Sequence, residues 1–101
     1  MITEIAALRI DPVRAAEFEA AVAAAHVHFQ ADSGCYGMAL EKVIETPGAY
    51  NLRVLWESVD AHVTGFRGSE NFQKWRALAG PFFVEPPVVV HAAIATTYFR
   101  K

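Results

Sequence analysis

Apolar residues occupy both faces of the first and last predicted strands. In residues 2–10, one face carries Ile2, Ala6, Leu8 and Ile10, and the other carries Ile5 and Ala7. Residues 88–95, which read VVVHAAIA, are apolar at nearly every position. A sheet that has helices on one side only turns its other face to water, and a monomer rarely leaves such an apolar face open. A second copy of the same sheet is the simplest cover, so the pattern predicts a homodimer packed sheet to sheet.

The segment between these strands predicts a helix followed by a hairpin. Asp11-Pro12 supplies an N-cap and a proline at the first helical position. Apolar residues then recur at helical spacing to about residue 31, namely Phe18, Val22, Ala25 and Phe29. Residues 36–45 and 50–57 are predicted strands, and Thr46-Pro47-Gly48-Ala49 between them is typical of a type II turn.

A second helical region is predicted after the hairpin. Ser58 is placed to cap a short helix whose expected buried stripe is Val59, Val63 and Phe66. Gly68-Ser69 interrupts it, and a further helix carrying Phe72, Trp75 and Ala79 ends at Gly80-Pro81. The order β-α-β-β-α-β predicts an α+β fold of the ferredoxin-like type, with a four-stranded antiparallel sheet in a single domain over residues 1–101.

Composition argues against several classes of protein. The apolar content of 53% exceeds the usual value of about 45–50%, yet no apolar run reaches the roughly 18 residues of a membrane span. The amino terminus lacks a signal-peptide pattern, so a cytoplasmic protein without a membrane partner is expected. Nine basic residues are dispersed in a chain of net charge -2, which predicts no binding of nucleic acid. One cysteine and four scattered histidines give no metal-ligand spacing.

Residues 56–83 gather both tryptophans and four of the seven phenylalanines around His62. Large aromatic side chains beside a titratable ring suit a pocket for a flat organic molecule, although aromatics at helical spacing also build plain cores. The candidate pocket residues are Tyr50, Asn51, Trp56, Phe66, Phe72, Trp75, Phe83 and His91. Among them, Tyr50 and Asn51 are hydrogen-bonding groups, and His91 fits equally well as a buried histidine that has no role in binding.

Several short motifs resemble the antibiotic biosynthesis monooxygenase family along essentially the whole chain. They are Ser33-Gly34-Cys35, Pro47-Gly48, Leu55-Trp56-Glu57-Ser58, Ala61-His62 and residues 66–72, which read FRGSENF. The resemblance implies a dimeric α/β barrel built from two ferredoxin-like chains. The family's haem-degrading branch has a histidine and a tryptophan that would fall at Arg76 and Phe66, so this chain departs from that branch.

The resemblance implies a cofactor-free oxygenase that acts on a small hydrophobic aromatic molecule, a phenol or hydroquinone, without metal or flavin. In that chemistry the substrate loses a proton, its anion passes an electron to O₂, and the radical pair recombines to give a quinone. His62 is the candidate catalytic residue, because imidazole titrates near neutral pH. The alternative is a non-catalytic dimer of the same fold that binds a small ligand or another protein.

Overall fold

Four strands form one antiparallel sheet in the computed structural model, which describes residues 1–101. The strands are β1 (Ile2–Arg9), β2 (Cys35–Lys42), β3 (Ala49–Trp56) and β4 (Val88–Ala92). Their order across the sheet is β2-β3-β1-β4, and every neighbouring pair is antiparallel. The predicted ferredoxin-like α+β fold is confirmed, although β2 ends three residues earlier than expected, at Lys42 rather than residue 45, and β4 ends at Ala92 rather than residue 95.

The turn between β2 and β3 has the predicted type II geometry. Gly48 has φ +86°, which glycine adopts without the steric cost that a side chain would add. The amide of Ala49 donates to the carbonyl oxygen of Thr46 at 3.0 Å and closes the turn. The carbonyl of Gly48 also accepts from the amide of Ile10 at 2.8 Å, so the turn is tied to the end of β1.

The first helical region is divided into three pieces, which corrects the prediction of one continuous helix. A 3₁₀ turn covers Pro12–Arg14, α1 covers Ala15–Ala25, and α2 covers Val27–Gln30. His26 lies at the break, with its Nδ1 2.6 Å from the carbonyl oxygen of Ala23. A side chain that bonds to a helix carbonyl competes with the backbone ladder, and this accounts for the interruption.

The core lies between the inner face of the sheet and the helices. The sheet contributes its alternate residues, and the helices contribute aromatic rings and alanines; the buried apolar side chains include Ala6, Leu8, Leu52, Val54, Trp56, Phe18, Phe29, Trp75 and Ala79. The helix α3 (Glu70–Ala79) packs Trp75 edge-on against Phe29, with the ring centroids 5.0 Å apart. No helix combines the length and apolar character that a bilayer crossing requires.

The outer face of the sheet has no covering layer within the chain. Residues paired across strands share a face, so Ile5 and its partner Val90 lie on this side, as do Ala7 and its partner Val88. Val88 and Val90 are 65% and 53% exposed. The two-faced pattern of the sequence therefore corresponds to apolar side chains that a single chain leaves open to water.

Candidate functional site

A π-helix over Ala61–Phe66 carries the histidine of the candidate site. The amide of Arg67 donates to the carbonyl oxygen of His62 at 3.0 Å, five residues back, which is the bond that defines this wider helix. His62 and Phe66 face inward and are buried. The predicted stripe is wrong for Val59 and Val63, which are 45% and 40% exposed, because the inward face of the wider turns carries His62 instead.

His62 stands at the centre of three contacting side chains, which we call the Glu4–His62–His91 chain. Its Nε2 lies 3.3 Å from Oε1 of Glu4, and its Nδ1 lies 2.8 Å from Nε2 of His91. Glu4 and His91 are cross-strand partners on β1 and β4, so the sheet fixes their spacing. Trp56 stacks on the imidazole of His62 and donates its Nε1 proton to Glu4 at 2.9 Å. These contacts fix the positions of the buried Glu4 and His62 and of the partly buried His91.

Burial perturbs the pKa of two of these groups in opposite directions. Desolvation raises the pKa of Glu4 above its usual value, although the hydrogen bond from Trp56 and the positive charge of Arg67 both act to lower it. Desolvation also lowers the pKa of His62 to about 4, and the charges of Arg67 and His91 add to this effect. His62 is therefore a neutral imidazole at neutral pH and carries one ring proton.

The surroundings of the two ring nitrogens favour one tautomer of neutral His62. A proton on Nε2 lies on the side of the Glu4 carboxylate, 3.3 Å from its Oε1, and Nδ1 is then left to accept the hydrogen bond from His91. The two ring nitrogens point in different directions, so Glu4, His62 and His91 do not converge on one point as ligands of a single metal ion would. No group of three or more potential metal ligands is present.

A cavity of about 520 Å³ opens beside this chain, between the inner face of the sheet and α3. Glu4 and His62 lie on its wall, and its aromatic lining consists of Phe72, Trp75 and Phe83. Oε2 of Glu4 has no hydrogen-bond partner within the protein, whereas every fully buried side-chain nitrogen or oxygen atom has one. Oε2 is therefore not fully buried. Because Glu4 lines the cavity, we take this oxygen to be open to it, where a ligand hydroxyl can approach.

The sequence candidates divide into cavity residues and supporting residues. His62, Phe72, Trp75 and Phe83 line the cavity. His91 and Trp56 do not line it but hold His62, one by a hydrogen bond and the other by stacking at a centroid distance of 5.1 Å. Phe66 packs behind Trp56 at 5.0 Å between ring centroids. These supporting side chains fix the orientation of the histidine from behind.

Two candidates lie away from the cavity. The hydroxyl of Tyr50 donates to Oε2 of Glu19 at 2.7 Å, and Lys42 lies 3.1 Å from the same oxygen. Tyr50 therefore serves a structural network between β3 and α1. Asn51 pairs with Ala7 and lies on the outer face of the sheet, because alternate residues of a strand point to opposite sides. Neither residue lines this cavity.

The sequence interpretation missed three charged residues of the cavity, Glu4, Arg67 and Arg76. Glu4 left a signal, since it is the one acidic residue on a strand face that otherwise carries Ile2, Ala6 and Leu8. A carboxylate is rarely placed on a buried face without a partner or a function. Nothing in the sequence pointed to Arg67 or Arg76 as cavity residues, because exposed arginines are common in helices and turns.

Known proteins resemble this chain in both sequence and fold. The sequence model described as antibiotic biosynthesis monooxygenase matches residues 1–78. An uncharacterised protein of Bacillus subtilis, YczJ, is 36% identical over 91 residues, which cover 90% of this chain and 96% of YczJ. The crystal structure of a candidate antibiotic biosynthesis monooxygenase from Bordetella bronchiseptica is 47% identical, covers 94% of this chain and 97% of its own, and superposes with a TM-score of 0.91.

A more distant similarity concerns the fold alone. A single-residue variant of SnoaB, a cofactor-independent oxygenase from Streptomyces nogalater, is 16% identical and superposes with a TM-score of 0.77. The superposition covers 96% of this chain and 95% of SnoaB.

Proposed function

The chain belongs to the antibiotic biosynthesis monooxygenase family, and from this premise we propose that it is a cofactor-independent monooxygenase of a small phenol or hydroquinone. The observation that carries the proposal is a buried carboxylate and a neutral imidazole, Glu4 and His62, on the wall of an aromatic cavity. Apolar walls hold the ring, and the polar pair receives the proton that the substrate must lose.

The proposed reaction begins with transfer of the substrate's hydroxyl proton to the Glu4–His62 pair. The phenolate is then electron-rich enough to pass one electron to O₂, and the two radicals combine at a ring carbon. Loss of water from the resulting peroxide leaves the quinone. For a phenol with a free para position, one O₂ is consumed and one quinone and one water are formed, so the substrate supplies all four electrons.

Each side chain has a distinct role in this proposal. Oε2 of Glu4 accepts the proton, because it is the oxygen open to the cavity. His62 holds the opposite oxygen through Nε2, and His91 fixes the ring through Nδ1. Desolvation, which raises the pKa of Glu4, brings the carboxylate closer in basicity to its substrate.

Oxygen uptake with a panel of hydroquinones and anthrones tests the proposal. Glu4→Gln retains an acceptor for Trp56 and is expected to lower turnover by about 100-fold or more, as loss of a general base does. His62→Gln is expected to lower it as well, and the double variant should lose little beyond the stronger single loss, because the pair acts as a unit. Glu57→Gln, at an exposed position, is the matched control.

Two outcomes contradict the proposal. Uptake no higher than that of heat-denatured protein across the whole panel favours the alternative, a non-catalytic module that binds a small ligand or a protein. Uptake that survives both Glu4→Gln and His62→Gln removes the pair from the mechanism.

We infer in addition that two copies of the chain pack sheet to sheet. The apolar outer face, with Ile5, Val88 and Val90, supports this assembly. Further support comes from the segment after β4, where Ile94, Tyr98 and Phe99 are between 77% and 88% exposed. Large apolar side chains at this density are unfavourable in water, and a second copy offers them a surface to cover.

A further inference from the structure

We propose that the molecule bound in the cavity is an aromatic acid, whose carboxylate is held by Arg67 and Arg76 while its ring hydroxyl reaches Glu4. This inference rests on the proposed function only in taking the cavity as the substrate site. It concerns which aromatic molecules bind there, whether or not they are oxidised.

The charge of the cavity is the first support. The whole chain has a net charge of -2, yet its cavity is lined by two arginines and a single acidic residue, Glu4. His62 adds no charge, since its pKa is lowered to about 4. The cavity therefore remains positive at neutral pH even when Glu4 is ionised, against the sign of the protein as a whole.

The two arginines also lack partners within the protein. The ion pairs of the structure use Arg14, Lys42, Arg53 and His62, and no carboxylate oxygen lies within 4.0 Å of Arg67 or Arg76. A guanidinium group presents a planar set of donors that matches a carboxylate in a bidentate arrangement. Both groups are free to receive such a ligand.

Their placement suits a molecule with an acid group at one end and a hydroxyl at the other. Arg67 directly follows the π-helix, and its charge acts on both Glu4 and His62. Arg76 lies on α3 with its guanidinium carbon 5.8 Å from the ring centroid of Phe72. Arg67 and Arg76 are exposed and Glu4 is buried, so the two positive charges belong to the solvent-facing part of the lining and the carboxylate to its buried part. A flat acid spanning these positions would satisfy all three charges.

Isothermal titration calorimetry with three matched probes tests the proposal: a hydroxynaphthoic acid, its methyl ester, and naphthol. The acid is expected to bind at least about tenfold more tightly than the ester at low salt, as a bidentate charged hydrogen bond would provide. Raising the salt concentration should reduce this preference, because the arginines are exposed.

Substitution separates the two arginines from other positive charges. Arg67→Gln with Arg76→Gln is expected to abolish the preference for the acid, and both sites are exposed, so the fold should persist. Lys74→Ala removes one charge from the same helix at an exposed residue outside the cavity lining and is the control. Equal affinities for acid and ester, or a preference that survives the double substitution, would overturn the proposal.

The outcome is independent of the oxygenase test. Arginine-dependent binding of an acid that is never oxidised would support this inference and contradict the proposed reaction. Oxidation of neutral phenols by a protein that shows no preference for acids would support the proposed reaction and contradict this inference.

Discussion

At the scale of single residues, the neutral buried state of His62 couples folding to pH. The pKa of His62 is lowered from 6.5 to about 4, so the folded protein binds fewer protons than the unfolded chain between these values. Above pH 6.5 the histidine is neutral in both states and the shift has no effect on stability; as the pH falls from 6.5 toward 4, the folded protein loses stability relative to the unfolded chain. The shift corresponds to roughly 3 kcal/mol. Glu4 has the opposite effect on stability. Because its pKa is raised in the folded protein, stability falls as the pH rises through the range in which Glu4 ionises.

We therefore predict that His62→Gln flattens the pH dependence of the free energy of unfolding. Urea denaturation at pH 7, 6, 5 and 4 measures it, and the wild-type loss should exceed that of the variant by roughly 3 kcal/mol over this range. The two proteins are compared by the slope of the free energy of unfolding against pH, because the variant also loses the stacking on Trp56, which lowers its stability at every pH. His26→Gln, on the exposed side of the break after α1, is the control. Identical slopes for wild type and His62→Gln would contradict the prediction.

At the scale of elements, the turn before β3 makes the clearest demand on a single residue. A Cβ atom added to Gly48 would lie 2.4 Å from the carbonyl oxygen of Ile10, and the φ of +86° is strained for any side chain. Gly48→Ala is expected to destabilise the protein by about 2 kcal/mol or more. Gly80→Ala is the matched control, since Gly80 has φ -54° and no atom within 4 Å of the added carbon. Thermal unfolding of both variants measures the difference, and equal midpoints would contradict the argument.

The elements differ in whether the sequence alone could predict them. Period-two alternation and the Pro47-Gly48 pair carry local signals, so the strands and the type II turn were predictable from neighbouring residues. The π-helix was not predictable, because one bond to the fifth residue back changes which side chains face inward without altering composition. His91 meets His62 only because β4 pairs with β1 from the other end of the chain, and such long-range pairing has no local signal.

At the scale of the whole molecule, the outer face of the sheet is apolar and is not covered by any other part of the chain. Helices bury one face, and the same strands present Ile5, Val88 and Val90 on the other. The active site proposed above lies on the helix side, so covering the outer face leaves the cavity open to a ligand. Assembly and binding can therefore be perturbed separately.

We predict that a charge on the outer face prevents the proposed dimer from forming without altering the cavity. Val90→Glu places a carboxylate at a residue that is 53% exposed in the single chain, and burying it between two sheets would cost several kcal/mol. Sedimentation velocity at micromolar concentration should show a dimer for the wild type and a monomer for this variant. Val27→Glu, at a residue 46% exposed on α2, introduces the same charge on the helix side and should remain dimeric. A folded wild-type monomer at that concentration would contradict the assembly, because the outer face would then be stable in water, and the apolar pattern of β1 and β4 would need another explanation.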